Sequence, residues 1–420
     1  AWIIGGAIML ACLLAFAFMG QKYEKVNGVV DYAEATVGSN YGYMMGWFTS
    51  TIYYPAMNSA LAWLTARYTL VFLTAVGMPL SAGSNPVTGP ECMVLALFFM
   101  GLSYAVNALS PKLAGKFQTT TTVIKLIPLG LMAVVGIAYG LINGTLTSNF
   151  VTPVAMEGVS TSPLFAAVCA TAFAYEGWII ATSINSELKN SKKNLPKALI
   201  IGGIVIAAVY IFYYVGVAGG ASNAQLISDG AQVAFTNIFG NFFGNILNLF
   251  IAISCFGTLN GLMLGTCRGM YSVAARGRGP APKIFGQVDE TTDMPSNSCV
   301  FALLITAFWL AYFYFANLWA GDVNGVSVSW AGKPFAFDST ELPVITIYLM
   351  YIPIFIQWIR KEKDESAVRR FVVPILAIVG SAFMVLACIV SHKMACFWYG
   401  VLYAAFMLVG WLLDAKNRKK

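Results

Sequence analysis

Stretches without a single Asp, Glu, Lys or Arg recur along this chain, at 1–21, 35–66, 198–228, 230–267 and 371–392 among others. Crossing a bilayer as a helix takes about 20 mostly apolar residues. The pattern therefore predicts eleven spans, at 1–19, 41–66, 91–109, 122–142, 162–186, 197–217, 241–270, 298–317, 340–358, 371–391 and 395–413. Residues 68–79 are too short to span and read as an appendage of the second helix or a short interfacial helix. Trp and Tyr near several span ends fit the headgroup level.

Composition removes the other classes. Apolar residues make up 58% of the chain and charged ones 10%, with a mean hydropathy of +0.72. Soluble domains carry about 25% charged residues. A cytosolic enzyme, a nucleic-acid binder and a disulfide scaffold are all excluded.

The positions of the charges change the picture more than their number. Lys22 and Lys25 follow the first span, Lys112 and Lys116 the third, and Lys189, Lys192, Lys193 and Lys197 the fifth. Arg268, Arg276, Arg278 and Lys283 follow the seventh, and Arg360, Lys361, Lys363, Arg369 and Arg370 the ninth. Lys416, Arg418, Lys419 and Lys420 form the tail. Of 25 basic residues, 21 fall on one side, while Arg67, Lys333 and Lys393 fall on the other. Such asymmetry marks cytoplasmic loops. The +7 balance is thus topological, and the expected setting is a cell membrane with lipid around it, a cytoplasmic C-terminus and no nucleic-acid partner. Eleven spans would leave Ala1 outside, within an apolar run that has no flanking charge. The expectation is that one preceding helix is missing, for twelve in all.

Ionisable residues inside a bilayer are costly and functional by default. Two qualify. Lys125 lies near the cytoplasmic end of the fourth span, where snorkelling to the interface is its bland alternative. Glu176 lies in the middle of the fifth, in AFAYEGW, with a satisfied interhelical hydrogen bond as its bland alternative. Gly177 beside it weakens the helix, and unwound backbone at that depth survives only where it lines a cavity. The seventh span carries a small, polar stripe (Ser254, Gly257, Thr258, Gly261, Gly265, Thr266) suited to close packing, from which Asn260 stands out. The eight cysteines have no paired spacing and read as small apolar fillers. The lone His392 is without partners for a metal, and no cofactor is expected. The G-x-x-x-x-G-K-[ST] loop, the H-E-x-x-H motif and the TVGYG filter are all lacking. That argues against ATP-driven pumps, metalloproteases and potassium channels.

Three segments together resemble a known family. AFAYEGWIIATSINSELKNSKKNLPKALI is similar to the sixth helix of the amino acid–polyamine–organocation permeases and the loop after it. FGTLNGLMLGTCRGMYSVAARGRGPAPKIFGQV is similar to their eighth helix and the segment that follows, and TVIKLIPLGLMAVVGIAYG to their fifth. AWIIGGAIMLACLLAFAFMGQKY resembles the second helix, so the likeness covers nearly the whole chain. Within the family it looks most like bacterial homologues of the L-type amino acid transporters.

The resemblance implies an all-α integral membrane protein with the five-plus-five inverted-repeat fold. Residues 1–142 would form the first repeat, 162–358 the second, and 371–413 two further helices. Helices one, two, six and seven would rock against three, four, eight and nine. It implies that Phe173, Ala174, Tyr175, Glu176 and Gly177 form the unwound substrate site, with Phe173 as the gating aromatic. Asn260 and Leu262 would face the substrate side chain. Lys125 would take the place of a coupling sodium, so exchange or proton-linked uptake is implied. The family's first helix, with its Gly-Ser-Gly carboxylate site, has no counterpart here. The implied substrate is a small or medium neutral amino acid, with a cationic amino acid or polyamine as the alternative. A sensor that binds amino acid without carrying it is a remote one. An enzyme is not implied. The loop 318–340 departs from the family and reads as a small hairpin.

Replacing Lys125 with alanine is expected to abolish or slow transport while expression stays intact. Exchange kinetics unchanged from wild type would return Lys125 to a snorkelling anchor.

Overall fold

A computed structural model of the chain describes residues 1–23, 27–151, 163–183, 188–323, 326–330 and 333–418. Lys25, Lys419, Lys420 and the ends of the fifth predicted span (162 and 184–186) lie outside these residues.

The fold is helical. The first third comprises α1 (Trp2–Lys22), α2 (Gly28–Thr36), α3 (Ser39–Phe48), α4 (Tyr54–Ala75), α5 (Pro90–Leu109), α6 (Pro111–Leu131), α7 (Ile137–Ile142) and α8 (Thr145–Val151). Next come α9 (Pro163–Tyr175), α10 (Ile180–Ser183), α11 (Ser191–Gly220), α12 (Asn223–Asp229), α13 (Ala231–Ala274), α14 (Pro282–Phe285) and α15 (Ser296–Phe313). The hairpin expected within 318–340 forms as β1 (Ala320–Val323) and β2 (Val326–Ser329), antiparallel with Ala320 opposite Ser329. The chain ends with α16 (Glu341–Lys361), α17 (Val373–His392) and α18 (Met394–Leu413).

Ten helical segments among the described residues are long and apolar enough to cross a membrane, and each matches a predicted span. The remaining predicted span, 41–66, is helical but is not one of the ten. It belongs to α3 and α4, joined through a π turn at Thr49–Tyr53, and α4 runs on to Ala75, so part of the 68–79 appendage continues the second helix. Its polarity has a physical reason. Thr49, Ser50, Thr51, Asn58, Ser59 and Thr65 are all buried, so protein rather than lipid surrounds this helix. All five hydroxyls return to carbonyls of the preceding turn, as Thr65 Oγ1 does to Leu61 O at 2.7 Å.

The π turn has a sequence cause. Pro55 has no N–H to give the Thr51 carbonyl four residues earlier. Trp309 of α15 supplies the missing donor, its Nε1 lying 2.7 Å from Thr51 O. Elsewhere the predicted gap at 218–240 is helical in large part. Ser222 and Gln225 form a capping box that starts α12. Gly240, at φ +82°, then breaks α13 next to the predicted span start at 241.

Packing follows residue size. α13 lies against α4, α5, α6 and α15, while α1 lies against α9, α11 and α17. The small stripe of α13 does pack closely: Gly257 meets Thr121, Gly265 the Tyr54 ring and Gly269 Ser50. The tightest approach was not anticipated. Gly136 and Gly140 meet Gly216 and Gly219 of α11 backbone to backbone, and any Cβ there would collide with main-chain atoms.

Several of the basic residues near the predicted cytoplasmic end are ion-paired. Lys22 reaches Glu362 at 2.6 Å and Glu365 at 3.0 Å. Arg276 pairs with Asp31, and with Glu34 at 3.1 Å. Arg278 is buried and bidentate to buried Asp414, Nε donating to Oδ1 at 3.1 Å and Nη2 to Oδ2 at 2.6 Å, and it also binds Ser39 and Asn40. Removing one partner of a buried pair strands the other charge and costs about 3–5 kcal/mol. Arg278→Ala is therefore expected to destabilise the protein by that amount, read as an earlier unfolding transition in detergent. A transition within about 1 kcal/mol of wild type would mean that water already reaches Asp414.

Candidate functional site

The fifth predicted span is interrupted where AFAYEGW places its glycine. Glu176 N reaches back only to Phe173 O, at 3.3 Å, and the chain turns through Gly177 at φ +104°. A Cβ is strongly disfavoured at that φ. Ile180 N then bonds Gly177 O at 3.1 Å and α10 begins. The break leaves the Ala174 and Tyr175 carbonyls without a helical donor four residues on. These are the last carbonyls of α9, at the negative end of its dipole.

The side chains around the break come from three other helices. Glu176 Oε1 accepts a hydrogen bond from Tyr53 at 2.6 Å, and Tyr53 is the last residue of the π turn. Glu176 Oε2 is buried without a partner, as is the Tyr54 hydroxyl. From α16, Tyr348 and Tyr351 bring buried hydroxyls near Glu176, and neither has a partner at normal hydrogen-bond geometry among the described residues. Phe16 of α1 packs across this wall, edge-on to Tyr351 at 4.8 Å and tilted against Trp178 at 5.7 Å, whose indole N–H is without a partner among the described residues. One carboxylate oxygen, three hydroxyls and an indole N–H thus converge, with hydrogen-bonding capacity to spare. Buried polar groups left so are uncommon in folded proteins.

The expected site residues divide on this geometry. Glu176 and Gly177 form the break, with Ala174 beside them. Phe173 is half-buried against the main core. Tyr175 turns the other way: its hydroxyl donates to Trp2 O at 3.0 Å and its ring packs on Trp2 and Tyr210. Asn260 is committed to the packing of α13 on α5 and α6. Its Oδ1 accepts from Asn107 at 3.0 Å, and its Nδ2 donates to Ala114 O at 3.3 Å and Gln118 at 3.4 Å. None of these bonds reaches the break. Leu262 is fully buried in the main core. Lys125 is half-buried on α6, interacts with Cys255 of α13, and makes no hydrogen bond or ion pair among the described residues.

Tyr53, Tyr54, Tyr348, Tyr351 and Trp178 were not anticipated as site residues. The available signal was tyrosine at mid-span, since membrane tyrosines otherwise concentrate at the interfaces. The expectation that His392 has no partners is corrected. Its Nε2 lies 2.9 Å from Glu341, and a ring nitrogen lies within 4.8 Å of the Cys169 and Cys388 thiols. Helix ends distant in sequence meet there, which residue spacing does not reveal.

The family model described as amino acid permease matches residues 1–413. The chain is 27% identical to the serine/threonine exchanger SteT of Bacillus subtilis, over 94% of this chain and 84% of that one. It is 26% identical to the human b(0,+)-type amino acid transporter 1, over 96% of this chain and 77% of the relative. It is 25% identical to the mouse Asc-type amino acid transporter 1, over 94% and 70%.

Tyr53→Phe removes the 2.6 Å hydrogen bond to Glu176 and is expected to cost about 1–3 kcal/mol. Tyr54→Phe, which removes a hydroxyl without a partner, is expected to leave stability unchanged. Paired thermal unfolding in detergent separates the two; equal stability of both variants would show that Tyr53 does not hold the carboxylate.

Proposed function

The chain belongs to the amino acid permease family, and on that footing we propose that residues 173–177 bind the substrate of a secondary amino acid transporter. The observation that carries this reading is the helix interruption at Glu176 and Gly177, walled by Tyr53, Tyr54, Tyr348 and Tyr351. Carbonyls freed at a half-helix end accept hydrogen bonds from an ammonium. The Ala174 and Tyr175 carbonyls are so disposed, and Phe173 borders them. Asn260 acts by holding α13 to α5 and α6, and Leu262 by filling the core beside it.

The substrate is a small or medium neutral amino acid, moved by exchange or proton-linked uptake. The similarity to a serine/threonine exchanger over nearly the whole chain supports this choice. So does Glu176, whose Oε1 is already held by Tyr53 and thus less available as a counter-ion for a substrate side chain. Lys125, a half-buried lysine without an ion pair among the described residues, suits the place of a coupling ion. The carrier works without a covalent step, by alternating access between two inverted repeats, 1–142 and 162–358. It sits in the cell membrane among lipid, with the basic, ion-paired end and the C-terminus in the cytoplasm. The unpaired Glu176 Oε2 favours a second reading, a cationic amino acid or polyamine.

Competition in proteoliposomes of the full-length protein tests the choice. Labelled alanine uptake is expected to be displaced by serine and threonine and not by arginine or putrescine. Robust arginine uptake that alanine does not compete would replace the neutral reading with the cationic one.

A further inference from the structure

Four helix segments meet at the end of the molecule opposite the basic clusters. Cys169 comes from α9, Cys388 and His392 from the last turns of α17, Cys396 from the first turn of α18, and Glu341 from the start of α16. The donor atoms of Cys169, Cys388 and His392 all lie within 4.8 Å of one another. Cys396 Sγ lies outside that set of three, 3.7 Å from Cys388 Sγ and donating to Cys388 O at 3.5 Å. A tetrahedral zinc with Zn–S bonds of about 2.3 Å holds its sulfurs about 3.8 Å apart. Glu341 takes His392 Nε2 at 2.9 Å, which fixes the ring and leaves Nδ1 as its other donor. A carboxylate on the second ring nitrogen is the usual support of a metal-bound histidine. An entry path exists, because the His392 and Glu341 side chains are 20% and 21% exposed while Cys169 is buried beneath them.

We propose that Cys169, Cys388 and His392, with the neighbouring Cys396 thiol turned in as the fourth donor, form a binding site for a soft, tetrahedral divalent metal ion of the zinc class, with Glu341 orienting the imidazole. Thiolate and imidazole donors in a four-coordinate set select that class. Each thiol that binds releases its proton to solvent, with no change of oxidation state. The bound ion joins the half-helix leading into the break at Glu176 to the α17–α18 hairpin.

The protein, purified in detergent with a non-thiol reductant and stripped with chelator, is titrated with Co²⁺. One Co²⁺ per chain is expected, with a thiolate-to-cobalt charge-transfer absorption that Zn²⁺ abolishes. Cys388→Ser and His392→Ala are expected to lose the band. Cys267→Ser, on a buried thiol outside the cluster, is expected to keep it. Glu341→Gln is expected to weaken binding about 10- to 100-fold. A reduced wild-type protein that gives no charge-transfer band overturns the proposal whether or not the variants fold. So does a band that survives Cys388→Ser, or a Cys388–Cys396 disulfide whose reduction restores no metal binding.

Discussion

Backbone groups in the hydrocarbon core of a membrane have no water to turn to, and this constraint shapes the chain more than any other. Helices satisfy it wherever they can. Each exception carries its own compensation. Pro55 removes a donor from the Thr51 carbonyl, and Trp309 replaces it. The interruption at Gly177 frees two carbonyls at mid-span, and the backbone there is enclosed by α1, the Thr49–Tyr53 turn and α16 and kept from lipid. A site for a polar solute can exist at this depth because the surrounding protein is already polar enough to hold open backbone.

The same constraint explains what was legible in the sequence. Spans and the break at AFAYEGW could be read because apolar length and a mid-span glycine are local properties. The polar helix through Asn58 and Ser59 was placed as a span from its lack of charge, although it is too polar to face lipid. The side chains that meet Glu176 were not legible. Tyr53 lies 123 residues before Glu176 and Tyr348 lies far after it, so only the packing of α4 and α16 brings them together. Asn260 looked exposed to function because asparagine is unusual in a membrane helix. Its hydrogen bonds with Asn107 and Gln118 show how such a residue is also satisfied as an interhelical fastener. The contact between Gly136 and Gly216 could not be seen from either helix alone.

Electrostatics is divided between the two ends. At the basic end, charges are neutralised by partners from other helices, and Arg278 with Asp414 locks the segment after α13 to the end of α18. At the opposite end a softer group gathers where α9, α16 and α17 meet: the Cys169 and Cys388 thiols, the His392 imidazole and the Glu341 carboxylate. The broken helix runs between these two environments.

The hydrogen bond from Tyr175 to Trp2 joins the last turn of α9 to the first turn of α1, and the Trp2, Tyr175 and Tyr210 rings brace it. Mechanically this is a stiff rivet placed directly beside a flexible joint. Load applied to α1 is passed to α9 with little slack, and the compliance of the assembly is concentrated in the few bonds around Gly177. Strain delivered along either rod is therefore relieved where the helix has already been cut.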